Sequence, residues 1–424
     1  MRSKEQDMHV VVVGAGIIGV TTAYSLRRQG FEVTVIERHS GVAQETSFAN
    51  GGFVAPAYTS PSAAPGMVGR ALRHLFGSRS PLVYRPRLDA AQWRFVTRWL
   101  GECKRERWER NRARMQRLAF YSRDEMAVIR NRHALDYEQS TGVLQLFRTE
   151  KEMAASEGAR KLLAEAGVPF ALLSPEACRS VEAAIHPAAK LAGGLHLPED
   201  ETGNCAFFAH QLKDIAIASG VDFRFDTSVR ALMRNGERVD RVITDRGEMA
   251  CDAVVVAAGV ASDTLIRPLG ITLPLYPVKG YAATAPITAY EHAPFMAVVD
   301  ETHKVVITRM GNRMRLAGTG EIGSRQLFLR ESALATLLDS AREWFPYASS
   351  WRAARFWVGA RPMLPDGPPV LGPTKIKGLY LNLGHGGSGW GMAAGSARVL
   401  SDLIAGQQPE IDLDGLTLER FARP

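Results

Sequence analysis

The apolar and polar positions at the start of the 424-residue chain predict a strand, a turn and a helix in direct succession. Residues 8–13 form a short β-branched run, which is typical of a strand buried in a parallel sheet. The turn Gly14-Ala15-Gly16-Ile17-Ile18-Gly19 follows, and a helical pattern then continues to Gln29. Residues 32–36 predict a second strand that ends at Glu37, eighteen residues after the last glycine. This order of elements predicts a βαβ unit that binds a dinucleotide.

Each residue of this motif has a physical task. Gly14 permits the tight turn, Gly16 lets the backbone approach a pyrophosphate, and Gly19 allows the helix to pack closely on the strand. The amino terminus of the helix offers N–H groups and the positive end of its dipole to the phosphates. Glu37 is placed to accept hydrogen bonds from the ribose hydroxyls. Its charge would repel a 2′-phosphate, which disfavours NADP.

The segment after the second predicted strand indicates whether the cofactor is FAD or NAD. Residues 38–52 form a polar, glycine-rich loop, whereas an NAD-binding half would continue with another helix and strand. Hydroxyls at 46 and 47 suit phosphate oxygens or a helix end, and glycines at 51 and 52 leave room for a flat ring. We therefore expect FAD, with these amino-terminal contacts: Val10, Val11, Val12, Val13, Gly14, Ala15, Gly16, Ile17, Ile18, Gly19, Glu37, Arg38, Thr46, Ser47, Asn50, Gly51 and Gly52.

Composition narrows the class of protein. With 46% hydrophobic and 23% charged residues, the chain is typical of a soluble globular protein of two or three domains. No apolar run reaches the roughly 18 residues that a membrane-spanning helix needs. The four cysteines are far apart and form no C-x-x-C pair, which predicts reduced thiols in a cytoplasmic protein and no metal site.

The positive charge is concentrated in one segment. Residues 70–123 hold fifteen basic and four acidic residues, a net charge of +11, which leaves −3 for the rest of the chain. An apolar stripe recurs there at helical spacing: Ala90, Trp93, Val96, Trp99 and Leu100. Such a helix either packs its stripe on the core or contacts an anionic membrane surface at its periphery. Binding to nucleic acid is disfavoured, because no recognition motif accompanies the charge.

Several strings then resemble one known family. ETSFANGG (45–52), after the dinucleotide motif, resembles the D-amino-acid oxidase and glycine oxidase superfamily of flavoproteins. Further strings, in the same order along the chain, resemble the small subunit of bacterial D-amino-acid dehydrogenase. They are APAYTSPSAAPG (55–66), GVLQLFRTE (142–150), GGLHLPEDETGNC (193–205), PLYPVKGY (274–281), ARPMLPDGPPVLG (360–372) and LNLGHGGSGWGMAAGSARVLSDLIAG (381–406).

This resemblance implies an α/β fold (α+β overall) with two interleaved domains. A Rossmann-type FAD-binding domain is expected from residues 8–88, 200–272 and 359–424. A substrate domain with an antiparallel sheet is expected from residues 89–199 and 273–358, with a basic helical arm at 89–133. A strand at 223–229 would hold the adenine through Val229, and a strand at 252–259 would pass the cofactor at Ala258 and Gly259.

The resemblance also implies the site residues. Arg361 corresponds to the arginine that binds the substrate carboxylate in the glycine oxidase branch, and Tyr281 and Tyr58 are candidate pocket hydroxyls. A turn after the strand at 379–383 would face the flavin with Gly384, His385, Gly386, Gly387 and Ser388. The glycine oxidase branch has a further arginine in this turn, which is missing here. In the sarcosine oxidase branch, the flavin is attached to a cysteine close to the position of Arg361. Here the last cysteine, Cys251, lies 110 residues before Arg361, so FAD is expected to be non-covalent.

The implied activity is the oxidative deamination of D-amino acids to 2-oxo acids and ammonia. A hydride would pass from the substrate Cα to flavin N5, and the electrons would continue to a quinone or another carrier. The alternative on the same fold is a dehydrogenase for D-hydroxyproline or D-proline, or an oxidase for amines such as glycine and sarcosine. The basic arm would place the enzyme in peripheral contact with the cytoplasmic face of the inner membrane.

Overall fold

A computed structural model describes residues 8–67, 69 and 81–422. Its strands are β1 (His9–Val13), β2 (Glu32–Ile36), β3 (Phe53–Val54), β4 (Leu82–Tyr84), β5 (Ser140–Phe147), β6 (Ala171–Leu173), β7 (Gly193–Thr202), β8 (Asp222–Arg224), β9 (Val229–Asn235), β10 (Arg238–Thr244), β11 (Gly247–Ala250), β12 (Ala253–Val256), β13 (Tyr276–Pro286), β14 (Ala297–Asp300), β15 (Val305–Met310), β16 (Arg313–Ile322), β17 (Arg355–Met363), β18 (Val370–Pro373) and β19 (Leu379–Leu383). Its α-helices are α1 (Ile17–Arg28), α2 (Ala90–Glu102), α3 (Arg105–His133), α4 (Glu150–Ala155), α5 (Glu157–Glu165), α6 (Pro175–Val181), α7 (Cys205–Ala218), α8 (Ser262–Ile266), α9 (Glu331–Trp344) and α10 (Gly389–Ile404).

The dinucleotide unit contributes β1 and β2 to a six-stranded sheet with the order β18-β19-β12-β1-β2-β8. Strand β1 is parallel to both of its neighbours, β12 and β2, and only β18 runs antiparallel to its partner. The valines of β1 are buried, because α1 covers one face of the sheet and a second apolar cluster covers the other. The predicted βαβ unit is therefore present, with a core on both sides.

A second, ten-stranded sheet has the main order β17-β13-β16-β15-β14-β5-β7-β3, with β4 beside β16 and β6 beside β7. Most pairs are antiparallel, and β14 with β5 and β4 with β16 are parallel. We call the face that carries Ala282 and Ala317 the inner face; the loop around Ala49 packs on it. The outer face carries Ala283 and Leu316 and is covered by α9.

Segments that form one sheet alternate along the chain with segments that form the other, as the resemblance implies for interleaved domains. The six-stranded sheet draws on residues 9–36, 222–224, 253–256 and 370–383, and the ten-stranded sheet draws on residues 53–202 and 276–363. Strands β9, β10 and β11 form a separate antiparallel sheet of three strands between β8 and β12. Strands β3 and β4 and the whole of β17 belong to the ten-stranded sheet, so the predicted limits at 88 and 358 do not follow sheet membership. The exact domain limits stay a prediction.

Two sequence expectations differ from the observed elements. The strand expected at 223–229 is broken: β8 ends at Arg224, a loop with Asp226 at φ 49° follows, and β9 begins at Val229. The stripe on α2 is also split, because Trp99 is buried and Val96 packs beside it, whereas Trp93 and Leu100 are exposed. Phe95, which is not part of the stripe, is buried in the same cluster as Tyr276 and Val278 of β13. None of the described helices is long and apolar enough to cross a membrane.

Candidate active site

The glycine turn between β1 and α1 has the geometry that a pyrophosphate requires. Gly14 has a φ of 103°, and a Cβ there would lie 2.8 Å from the carbonyl oxygen of Ala257. A Cβ at Gly19 would overlap the carbonyl of Gly14, so only glycine permits this contact between helix and strand. Gly16 caps α1, and no side chain of its own closes the helix end. The first turn of α1 is therefore a ready anion site.

Glu37 lies where β2 ends, buried beside this turn. Its Oε2 accepts a hydrogen bond from the backbone N–H of Ala15 at 2.7 Å, and its Oε1 accepts one from the N–H of His39 at 2.9 Å. A carboxylate has about four lone-pair sites, so both oxygens can still accept bonds from ribose hydroxyls. Arg38 points elsewhere and forms an ion pair with Glu45.

The loop at 46–52 joins the dinucleotide unit to the ten-stranded sheet. The hydroxyl of Ser47 accepts a bond from the N–H of Ile17 at 3.1 Å, at the first residue of α1. The hydroxyl of Thr46 donates to the carbonyl of Ala360 in β17 at 2.7 Å. A Cβ at Gly51 would touch Ala317 on the inner face at 3.4 Å. The loop therefore leads from the phosphate end of the site to the inner face.

Four further residues predicted to contact the cofactor differ in where the structure places them. Ala258 is adjacent to the glycine turn, since a Cβ at Gly14 would lie 3.1 Å from its Cα. Gly259 begins a short 3-10 helix at φ 56°. Val229 is half-buried beside the apolar cluster that lines the six-stranded sheet. The side-chain oxygen of Asn50 accepts a bond from the N–H of Gly52, which shapes the loop itself.

The carboxy-terminal turn approaches the inner face from the other side. Gly384 and Gly386 have positive φ values of 84° and 58°, and His385 forms a bridge with Met363 of β17. The turn then enters α10, whose cap residue Ser388 makes no side-chain cap bond. An uncapped helix amino terminus with its positive dipole end therefore lies against β17.

Arg361 of β17 lies where these elements meet. Its guanidinium lies directly over Gly280 of β13, and any Cβ there would overlap it. A Cβ at Gly387 would lie 3.6 Å from Cδ of Arg361, so two glycines flank the side chain. Nη2 donates to the carbonyl of Gly318 at 3.4 Å. Burial lowers the pKa of Arg361, and among the described residues no carboxylate forms an ion pair with it. A charged guanidinium without a carboxylate partner marks a site for an anion.

The DAO family model, described as FAD dependent oxidoreductase, matches residues 9–403 of the chain. The chain belongs to this family. It is 48% identical over 419 residues to the D-amino acid dehydrogenase of Cereibacter sphaeroides, covering 98% of this chain and 96% of that protein. It is 44% identical over 417 residues to the D-amino acid dehydrogenase of Granulibacter bethesdensis, covering 98% of this chain and all of that protein.

Solved structures share the fold at low identity. The glycine oxidase of Geobacillus kaustophilus matches with a TM-score of 0.74 and 22% identity, covering 97% of this chain and 98% of that chain. The L-proline dehydrogenase of P. horikoshii matches with a TM-score of 0.75 and 17% identity, covering 98% of each chain. The predicted α/β fold with a Rossmann-type FAD unit is therefore confirmed.

The residues present suit FAD. The backbone cradle at Gly14, the buried Glu37 and the loop at 46–52 form a continuous path from a dinucleotide unit to the inner face. In this FAD-dependent oxidoreductase the path ends between Arg361 and the uncapped end of α10. FAD, the predicted cofactor, is confirmed by family membership.

The structure does not bring Tyr281 to Arg361. Tyr281 is on the outer face, 1% exposed, and its hydroxyl donates to Oε2 of Glu321 at 2.8 Å. Lys279 and Arg330 also contact that carboxylate, both at 2.7 Å. We call these four residues the outer cluster. Alternation along β13 places Tyr281 and Lys279 on one face and Gly280 on the other. Its placement therefore argues against Tyr281 as a pocket hydroxyl.

Two further predicted site residues, Tyr58 and His385, are both held by contacts within the protein. Tyr58 packs on Phe53 in the cluster against the inner face, and burial raises the pKa of its hydroxyl. His385 is buried, and its Nε2 lies 2.9 Å from the hydroxyl of Ser396 in α10. Burial lowers the pKa of His385 to about 3, so the ring is neutral near pH 7. His385 therefore links the turn to α10 through Ser396.

Sequence reasoning missed two features of the site. Gly280 makes room for the guanidinium, and the segment at 318–320 supplies the carbonyl that Arg361 contacts. The strings KGY and GTGE each contain a glycine inside a strand pattern, which often marks a bulge or a close approach. That signal was available but was too general to point to Arg361.

Proposed function

We propose that this protein oxidises D-amino acids to 2-oxo acids and ammonia and passes the electrons to a carrier other than oxygen. The observation that carries the proposal is the unpaired guanidinium of Arg361, which lies at the end of the FAD path. An α-carboxylate is the anion that every amino-acid substrate offers. The names of the two relatives above support the D-configuration and the dehydrogenase reaction.

The residues would act mainly by positioning. Arg361 binds the carboxylate through two parallel N–H donors, a geometry that lysine cannot reproduce. Gly280 and Gly387 hold the guanidinium from both sides, which fixes the substrate Cα. When bound, FAD supplies the two-electron oxidant. The amino terminus of α10 stabilises negative charge that develops beside it. Water then hydrolyses the released imino acid to the 2-oxo acid and ammonia.

The experiment is anaerobic bleaching of the flavin absorption band of the purified protein near 450 nm. The panel contains D-amino acids, L-amino acids, D-proline, D-hydroxyproline, glycine and sarcosine. Bleaching by several D-amino acids supports the proposal. Bleaching by the imino acids alone favours the alternative, a D-hydroxyproline or D-proline dehydrogenase. Bleaching by glycine and sarcosine alone favours an amine oxidase, and no bleaching by any of them contradicts all three.

We also propose that a surface beside α2 makes peripheral contact with the inner membrane, where a quinone would accept the electrons. Leu88, Trp93 and Leu100 are exposed, and Arg94 and Arg98 are exposed on the same helix. Exposed apolar residues among arginines suit an anionic lipid surface. The arginines at 70, 73 and 79 lie outside the described residues. In a flotation experiment, the protein should float with anionic vesicles, and the double variant W93S/L100S should not. Equal binding to neutral vesicles contradicts the membrane contact, and so does salt-sensitive retention of the protein on RNA in place of vesicle binding.

A further inference from the structure

Three consecutive apolar residues are exposed in the loop that joins β16 to α9. All of residues 325–329 are exposed. Within this run, 53% of the surface of Leu327, 37% of Phe328 and 48% of Leu329 is accessible. An exposed apolar run is unfavourable in water, and it marks a surface that another molecule covers.

The middle of this loop is anchored to the outer cluster. The ammonium group of Lys279 donates to the carbonyl of Gln326 at 3.4 Å and lies 4.4 Å from the centre of the Phe328 ring. The guanidinium of Arg330 lies 4.3 Å from the centre of the same ring. Phe328 therefore packs back on two cations, and the leucines on either side of it have the larger exposed fractions. The loop is held to the protein by its phenylalanine and presents its two leucines to the surroundings.

The loop lies beside the segment that leads into α2. Strand β4 is parallel to the end of β16, and the N–H of Arg85 donates to the carbonyl of Ile322 at 2.9 Å. Both segments leave the sheet at this point. The guanidinium of Arg325 is 3.7 Å from a carboxylate oxygen of Asp89, which caps α2. Leu88, the residue before this cap, is fully exposed. The leucines of the loop and the exposed apolar residues at the start of α2 therefore lie at the same end of the molecule.

Positive charge surrounds these apolar residues. Residues 85–98 and 323–331 together hold six arginines and two acidic residues, a net charge of +4. The exposed arginines are Arg85, Arg87, Arg94, Arg98 and Arg325. Leucine and tryptophan side chains among arginines fit the interface of an anionic bilayer, where the apolar groups enter the acyl boundary and the guanidinium groups meet phosphates. A nucleic acid offers the same phosphates, but its backbone has no apolar region for the leucines.

We propose that the loop at 325–329 is a second membrane-binding element, which enters the headgroup region of an anionic bilayer beside the start of α2. This inference rests on the membrane contact proposed above for α2, and it adds an element from a distant part of the chain. One helix alone leaves the protein free to turn about the helix axis. Two elements side by side fix the orientation of the protein on the membrane.

The test compares two double variants of the full chain loaded with FAD. The loop variant is L327S/L329S, and the α2 variant is W93S/L100S. Phe328 is left in place, because it packs on the outer cluster. The partition of each protein between buffer and vesicles is measured by flotation, with vesicles of phosphatidylcholine alone and of phosphatidylcholine mixed with phosphatidylglycerol. The melting temperature of each protein is measured without vesicles.

The matched control variant is L172S/I217S. It also replaces two exposed apolar side chains, which are 42% and 46% exposed. Leu172 is on β6, which lies beside β7 at the other end of the ten-stranded sheet from β16. Ile217 is on α7, whose buried side packs in the core of the six-stranded sheet. The control variant therefore changes apolar exposure to a similar extent, away from the proposed membrane surface.

For the loop variant we expect binding to the anionic vesicles to fall about 10-fold, which corresponds to two half-exposed leucines that no longer enter an apolar environment. Combining the loop variant with the α2 variant should lower binding about 100-fold, because two separate elements contribute additively. The control variant should bind like the wild type. All melting temperatures should stay close to that of the wild type, because the substituted side chains are exposed.

A fluorescent probe locates the contact without relying on the serine variants. A nitrobenzoxadiazole group is attached to L327C or to L172C. Both carry C103S, because Cys103 is half-buried whereas the other three cysteines are buried. On addition of anionic vesicles, the emission of the probe at position 327 should rise several-fold, since this probe emits more strongly in an apolar environment. The emission of the probe at position 172 should not change.

Opposite results would overturn the proposal in identifiable ways. Wild-type binding by the loop variant, or a probe at position 327 that does not respond to vesicles, shows that the loop does not enter the membrane. If sedimentation shows that the loop variant is a monomer where the wild type is a dimer, and vesicle binding is unchanged, the loop is an interface between two copies of the chain. The α2 variant tests the α2 contact by itself, and flavin bleaching tests the enzymatic function without any membrane, so each failure contradicts one proposal only.

Discussion

The two faces of the ten-stranded sheet treat positive charge in opposite ways. On the outer face, Lys279 is almost completely buried, and its ammonium group is 2.7 Å from a carboxylate oxygen of Glu321. On the inner face, the partly buried Arg361 donates to the backbone carbonyl of Gly318 at 3.4 Å, and no carboxylate of the described residues pairs with it. The pKa of Glu321 is lowered, because burial, which acts in the opposite direction, is outweighed by hydrogen bonds from Lys279, Tyr281 and Arg330.

This difference separates structure from function in residues of similar type. A buried charge that is fully paired inside the chain stabilises the fold and has little capacity left for a ligand. A charge that the chain leaves unpaired destabilises the empty protein, and it gains its partner only when a ligand arrives. The two kinds of site are adjacent along β13. The guanidinium of Arg361 lies over Gly280, whereas the neighbours of Gly280, Lys279 and Tyr281, belong to the outer cluster.

The largest effect should come from R361L. Removing both donors of a bidentate, charged contact should lower kcat/KM for D-amino acids about 1,000-fold. The melting temperature should stay the same or rise, because a partly buried charge without a carboxylate partner disappears. Steady-state kinetics and thermal unfolding check the two parts. R361K keeps the charge and should recover only a small part of the activity; full recovery would mean that no bidentate contact exists.

On the outer face, E321A should have the opposite profile. It leaves Lys279 buried without its partner, which should reduce the free energy of unfolding by about 3–5 kcal/mol. Chemical denaturation measures this loss. In the fraction that stays folded at low temperature, the affinity for the substrate carboxylate should fall only if the loss of Glu321 displaces Gly280. A stable E321A protein would remove the distinction between the two faces.

G280A tests the contact between the faces. An alanine Cβ would overlap the guanidinium of Arg361, so the side chain must move away. We expect the Kd for D-amino acids to rise about 10- to 100-fold, as for the loss of one or two hydrogen bonds to a charged group. Flavin reduction rates against D-alanine concentration give this value. An unchanged Kd would show that the arginine binds no substrate in its present position.

Y281F examines the pocket role that the resemblance implied for Tyr281. The substitution removes one hydrogen bond to the Glu321 carboxylate and should reduce the free energy of unfolding by about 1–2 kcal/mol. The KM should change by less than about 2-fold, because the hydroxyl is on the outer face. Denaturation curves and kinetics are compared in one preparation. A KM that rises 10-fold with unchanged stability would return Tyr281 to the pocket.

The smallest effect concerns Asp200, which anchors the loop of Tyr58 through the N–H groups of Ala57 and Tyr58, both at 3.1 Å. Burial raises the pKa of Asp200 to about 7. The folded protein therefore holds this proton more tightly than the unfolded chain, whose aspartate pKa is about 3.9. The resulting stability is complete below about pH 4 and is lost as the pH rises to 7. D200N should remove this slope of a few degrees in melting temperature between pH 5 and 7.5; an identical slope in D200N would assign it to other groups.

Local sequence was sufficient for the dinucleotide unit. The contacts of Gly14, Gly19 and Glu37 form within a single βαβ unit, so spacing along the chain specifies them. The same holds for the carboxy-terminal turn, where the strand expected at 379–383 matches β19. By contrast, the strand expected at 223–229 failed because a loop with a left-handed residue interrupts it.

The sequence by itself determined the cofactor-binding unit, the fold class and the identity of Arg361 as the residue to examine. The tertiary structure decided which residues share a site with Arg361. A strand turns successive side chains to opposite faces, so the face of Tyr281 depends on register, and the register changes at a β-bulge where Thr319 is an extra residue of β16 opposite β13. Whether a positive charge is paired also depends on distant segments of the chain. Their packing gave Lys279 a carboxylate partner and left Arg361 without one among the residues that the structure describes.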